Sequence, residues 1–165
     1  MFEVTFNNLD DTLRKDAGCS SELDYIEQTS WVLFLKYLDD YEKDKETTAK
    51  LSGETYSPTI SEEYCWTTWA APKTADGKLD FNAALTGDDL KEFVDNQLFP
   101  YLTKFRTDAE SANTLEYKIG EIFSEIKNKL QINITPKFLF INYIFNVYKY
   151  TVFIPALLTT TLRGQ

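Results

Sequence analysis

Carboxylates, 26 of them, are the most numerous ionisable side chains in this chain. It has no histidine. That excludes a Ser-His-Asp triad, a Cys-His pair and a histidine metal site. Cys19 and Cys65 are too few for a thiolate metal site or a disulfide framework. The acid doublets Asp10-Asp11, Asp39-Asp40, Glu62-Glu63 and Asp88-Asp89 resemble general acid-base pairs. Successive helical residues point about 100° apart, so such neighbours share no face, and all four doublets read as solvated charge. Asp76, Lys78 and Asp80 have calcium-loop spacing, but Lys78 stands where an oxygen ligand belongs and Phe81 where the turn glycine belongs. Glycines at 18, 53, 77, 87, 120 and 164 form neither GxGxxG nor a phosphate-binding GxxxxGK[ST] pattern.

Nucleic acid is an unfavourable direct ligand. The net charge is -9, and an acidic surface repels phosphate. Trp31, Trp66 and Trp69 offer rings for base stacking. Yet Trp31 sits among Val32, Leu33 and Phe34, and the other two are flanked by Thr and Ala without basic residues. Packing in a core or interface is the better reading for Trp31, Phe34, Tyr37, Trp66, Trp69 and Phe123. The free thiols and an amino terminus unlike a signal peptide point to a cytoplasmic chain.

The elements that position these residues are helical. A short helix is expected over Asn8 to Asp16, ended by Gly18. The next starts at a Ser20 or Ser21 cap and carries Leu23, Ile26, Leu33, Phe34, Tyr37, Leu38 and Tyr41 at helical spacing. Polar residues from Glu42 to Lys50 read as its fraying end. Gly53, Pro58, Pro72 and Asp76-Gly77 break the periodicity, so a loop with a short hairpin is expected near residues 52–85, anchored by Trp66 and Trp69. Thr86 and Asp89 form a candidate capping box for a helix burying Leu90, Phe93, Val94 and Leu98. Pro100 either breaks that helix or opens a new turn with Leu102 and Phe105. A last helix from about Asn113 to Leu130 aligns Leu115, Ile119, Ile122, Phe123, Ile126 and Leu130, with Lys127 and Lys129 at its negative end. The expected fold class is mainly α: an N-terminal bundle of four to five helices, residues 1–131, with an apolar C-terminal tail.

The tail has a different composition. Residues 132–165 contain no Asp or Glu, and their only charges are Lys137, Lys149 and Arg163. Residues 1–131 carry a net -12. At their acid frequency the tail would hold roughly seven acids. Phe, Ile, Asn, Lys and Tyr fill 15 of the 19 positions from Ile132 to Tyr150, which implies a frameshift, an insertion or translated non-coding sequence. Phe138 to Leu158 is long enough to span a bilayer, but Asn142, Asn146, Lys149 and Pro155 interrupt it. Docking on the helices or self-association into a homo-oligomer is the preferred reading.

Four segments in order carry a family resemblance. They are Leu13-Arg14-Lys15-Asp16-Ala17-Gly18 with Leu23-Asp24-Tyr25, and Trp31-Val32-Leu33-Phe34-Leu35-Lys36-Tyr37-Leu38-Asp39. Tyr64-Cys65-Trp66-Thr67-Thr68-Trp69 is the third, and Leu98-Phe99-Pro100-Tyr101-Leu102 followed by Leu115 to Leu130 is the fourth. Together they resemble the amino-terminal domain of the modification subunit of type I restriction-modification systems. The resemblance implies a subunit that methylates adenine at N6 with S-adenosylmethionine, through a doubly wound domain after the helical one. That chemistry needs a glycine-rich turn for the cofactor and an Asp/Asn-Pro-Pro-aromatic motif for a flipped adenine. No proline here is doubled. The expectation is therefore a truncated subunit with no catalytic residue, cofactor site or metal site of its own. Its implied partners are the specificity and modification subunits, and DNA through their complex. Arg14, Lys15, Lys73 and Lys78 are the cations to test at a DNA edge. The alternative is an acidic regulator that mimics DNA charge and inhibits a restriction complex.

Overall fold

The first element of the computed structural model, which describes residues 18–130, is a 31-residue helix, α1 (Glu22–Ser52). Ser21 caps it. The Ser21 hydroxyl accepts from the Asp24 N–H at 3.2 Å, and the Asp24 carboxylate accepts from the Ser21 N–H at 3.0 Å. This reciprocal box satisfies two of the backbone donors that a helix start leaves free. The helix does not fray after Tyr41, as its sequence suggested. Ion pairs one turn apart, Asp39–Lys43 and Glu46–Lys50, lie along that end and continue a series begun by Lys36–Asp40. Gly53, at φ 73°, closes the end in the left-handed conformation and donates to Ala49 and Lys50.

The buried side of α1 also differs from the expected stripe. Trp31, Val32, Leu35 and Leu38 are buried, but Leu23 is 74% and Ile26 57% exposed. Asp24 and Gln28 take the inward positions at that end. Leu33, Phe34 and Tyr37 are half-buried and Tyr41 is exposed.

After α1 the chain makes a 3-10 turn at Glu62–Tyr64 and a single-turn helix, α2 (Trp66–Trp69). Trp66, Trp69, Ala70 and Ala71 are buried, which fixes the irregular segment to the core. The hairpin at Asp76-Gly77 is small: a single antiparallel bridge joins Lys73 and Leu79, with Gly77 at φ 82°. Helix α3 (Gly87–Phe93) starts at Thr86, but the Thr86 side chain makes no capping bond, so the expected capping box is absent. One π turn, Val94–Leu98, leads directly into α4 (Phe99–Asp108). Pro100 therefore does not break the chain's course. Proline lacks an N–H and crowds the carbonyl four residues earlier. The wider π turn, in which the Phe99 N–H reaches Val94, absorbs that defect and leaves Pro100 in the first turn of α4. Leu90, Val94, Leu98 and Leu102 are buried along this run.

Helix α5 (Leu115–Glu125) is capped by Thr114, whose hydroxyl accepts from the Tyr117 N–H at 3.2 Å. It ends five residues before the expected Leu130, and residues 126–130 are not helical. Lys127 and Lys129 consequently lie beyond its negative end. Ile119 and Phe123 are buried, whereas Leu115 and Ile122 are exposed. An aromatic series ties the helices together: Trp31 of α1 meets Phe99 of α4 edge-on at 5.2 Å, and Phe99 meets Phe123 of α5 at 5.1 Å. The described residues are thus mainly helical and contain no named strand. The expected helix over Asn8 to Asp16 and the tail 132–165 lie outside the described residues.

Helices α4 and α5 cross in near backbone contact at Gly120. A Cβ there would lie 2.1 Å from the Arg106 backbone nitrogen and 2.7 Å from its Cα. Backbone cannot yield as a flexible side chain can. Gly120→Ala is expected to destabilise the protein by about 2 kcal/mol or more, read by urea denaturation. Unchanged stability would mean that the two helices are not this close.

Candidate interaction site

The inward face of α1 carries polar side chains at each end of a middle that is apolar except for the buried Lys36. Near the C-terminal end, Glu42 accepts from the backbone N–H of Thr59 at 2.7 Å and of Ile60 at 3.3 Å. Asp39 accepts from the Thr67 N–H at 3.4 Å and its hydroxyl at 3.1 Å, and pairs with Lys43. Asp39 is 6% exposed, so one member of the Asp39-Asp40 doublet is buried rather than solvated. These two carboxylates hold the segment that delivers Trp66 and Trp69. Cys65 lies beside them. Burial, then the charges of Asp39 and Glu42, push its thiol up to about 11, so it is a poor nucleophile at neutral pH.

Near the N-terminal end, Gln28 is fully buried and bonded to the backbone of Lys127 and Lys129. The Lys129 ammonium reaches Asp24 at 2.6 Å. That contact, with the N–H of Ser20, holds the Asp24 carboxyl far below the usual carboxylate range. Across the loop, Tyr101 stacks on Tyr64 with ring centroids 4.0 Å apart, and its hydroxyl accepts from the Ser61 N–H at 2.9 Å.

The structure separates the candidate residues. Lys73 and Lys78 are exposed on one hairpin, where Lys78 pairs with Asp76 at 2.7 Å. Arg14 and Lys15 lie outside the described residues. Trp31, Trp66, Trp69 and Phe123 are buried, and Phe34 and Tyr37 are half-buried. The Trp31 indole N–H donates to Gln28 and that of Trp69 to the Tyr64 carbonyl. No tryptophan is left with an open face for a base. A shallow groove of about 610 Å³ runs between α4 and the segment after α5, over Phe99, Pro100 and Phe123. Among the described residues, no cluster of three or more His, Cys, Asp or Glu could hold a metal ion.

Sequence reasoning missed Asp24, Gln28, Asp39 and Glu42. The signal was present: Asp24, Gln28, Trp31, Leu35, Leu38 and Glu42 follow one another at three- and four-residue steps, and Asp39 lies four residues after Leu35 and three before Glu42. Only their polarity disguised it.

The model of the HsdM N-terminal domain matches residues 5–139. The chain belongs to the HsdM N-terminal domain family. The match extends past the composition change after Gln131. The methylase subunit of the type I restriction enzyme EcoEI from Escherichia coli is 33% identical over 124 residues, covering 75% of this chain and 22% of the relative. A crystal structure of a modification subunit assigned to a type I restriction enzyme of Vibrio vulnificus YJ016 superposes with a TM-score of 0.67 at 25% identity. That similarity covers 98% of this chain and 34% of the other. The chain thus spans under a quarter of the first relative and about a third of the second. No described helix of this HsdM-type domain is long and apolar enough to cross a membrane.

The Asp24–Lys129 pair makes part of the stability pH-dependent. A carboxyl whose folded pKa is depressed contributes above its unfolded value, about 3.9, and loses that contribution as pH falls towards the folded value. The stability gap between wild type and Asp24→Asn should be widest at pH 5–7 and narrow below about pH 4. A gap that stays constant down to pH 2 would show that the ion pair contributes nothing.

Proposed function

We propose that these 165 residues act as the subunit-contacting helical part of a cytoplasmic type I adenine-N6 modification methylase and transfer no methyl group themselves. The placement of the tryptophans carries this reading. All three rings are built into the core, so the domain offers shape and charge to partners rather than a base-stacking surface. The net charge of -9 favours contact with protein over contact with phosphate. The specificity subunit and a paired modification subunit are the partners this reading assigns, with DNA held through their complex. Lys73 and Lys78, and Arg14 and Lys15 before α1, are the cations assigned to a DNA edge. S-adenosylmethionine is assigned to the catalytic domain of the intact family, and self-association to the apolar stretch after residue 131.

The test joins capture with activity. The tagged chain is incubated with its cognate specificity subunit, and the eluate is assayed with labelled S-adenosylmethionine and DNA. Retention of the specificity subunit without methyl transfer by the isolated chain is the expected result. Methyl transfer that survives repurification, or no retention, contradicts the proposal. Retention that blocks methylation by the intact complex would instead support the acidic inhibitor.

A further inference from the structure

Residues 126–130 leave α5 and cross the N-terminal half of α1 under the control of one amide. The Gln28 Nε2 donates to the Lys127 carbonyl at 2.9 Å, and its Oε1 accepts from the Lys129 N–H at 3.0 Å. One side chain thus meets a carbonyl and an N–H two residues apart, as a neighbouring strand does. Gln28 is itself fixed, because its Oε1 also accepts from the Trp31 indole at 2.8 Å. Three further contacts bind the same five residues. Lys129 pairs with Asp24 at 2.6 Å and Glu27 at 3.5 Å, and the Asn128 side chain donates to Asp95 on the π turn at 2.8 Å. Leu130 is buried at one end, and Ile126 is half-buried at the other.

We propose that residues 126–130 are a latched strap, closed by Gln28, that opens as a unit while the helices stay folded. The asymmetry of the contacts supports this. When the strap lifts, its own N–H and C=O groups gain water. Gln28 loses two backbone partners at once and keeps only the Trp31 indole and the Glu27 carboxylate, so the cost of opening is concentrated on that residue. The N-terminal caps of the helices do not use the strap: Asp24 closes the Ser21 box and Thr114 caps α5, and only the C-cap of α5, Ile126, belongs to it. The strap also forms one wall of the groove over Phe99 and Pro100, through Ile126, Lys127 and Asn128. Its position therefore decides the width of that groove. The inference does not depend on the methylase reading.

Native-state hydrogen exchange on the full 165-residue chain tests it. In Gln28→Leu the Lys129 amide should exchange at least roughly tenfold faster, while the amides of Leu98 and Leu102 keep their wild-type rates. Limited trypsin digestion should show faster cleavage after Lys127 and Lys129, with α1 intact. Equal acceleration in strap and helices, or none in the strap, would overturn the proposal. Should Gln28→Leu fail to fold, Lys129→Met decides. It removes only the ion pairs, and should speed exchange at Asn128 and Leu130 a few-fold without touching α4. An unchanged strap in that variant, or loss of the helices with it, would also overturn the latch.

Discussion

Irregular chain can lie against a helix only if its backbone N–H and C=O groups find partners there. In this protein α1 supplies them. Two stretches pack along it largely outside regular helix: the segment from Tyr56 to Thr67, interrupted by the 3-10 turn and running into α2, and the strap from Ile126 to Leu130. Glu42 and Asp39 serve the first, and Gln28 the second. An apolar face throughout would leave those backbone groups unpaired, at about 1–3 kcal/mol each. The polar ends of the buried face are therefore as necessary as its apolar middle.

The middle works by aromatic contact. Trp31, Phe99 and Phe123 come from three helices and meet in edge-to-face pairs. Two backbone features bring their helices to the right depth. The π turn before Phe99 carries the chain through Pro100 without a break, and Gly120 lets α5 approach the backbone of α4. Both features serve packing, and neither places a reactive group. The Cys65 thiol, raised by burial and nearby acids, is likewise held protonated.

Much of this was legible in the residues. The Ser21 cap, the anchoring role of Trp66 and Trp69, and the line Leu90, Val94 and Leu98 follow from local rules that operate within a few residues. The misreadings share a different cause. Leu23 and Ile26 read as inward because they are apolar, and Asp39 read as solvated because it is charged. Which face turns inward is decided by partners 28 residues away for Asp39 and about a hundred away for Gln28. The early end of α5 has the same origin, since Ile126 to Leu130 exchange helical bonds for contacts to α1 and the π turn. The family resemblance rested on the order of whole segments and was insensitive to these errors. The four candidate DNA-facing cations had weaker support, because a lone cation in a sequence carries no local mark of its partner.

The protein is thus a helical module whose long helix holds loops by buried carboxylates and an amide, in a family of methylase N-terminal domains. The most direct test is the equilibrium unfolding of Glu42→Ala, followed by tryptophan fluorescence. Loss of its bonds to Thr59 and Ile60 should lower stability by about 1.5–3 kcal/mol and shift the emission of Trp66 and Trp69 in the folded state. A variant as stable as wild type, with unshifted emission, would show that the loop is held by apolar contact alone and that the buried polar face of α1 is incidental.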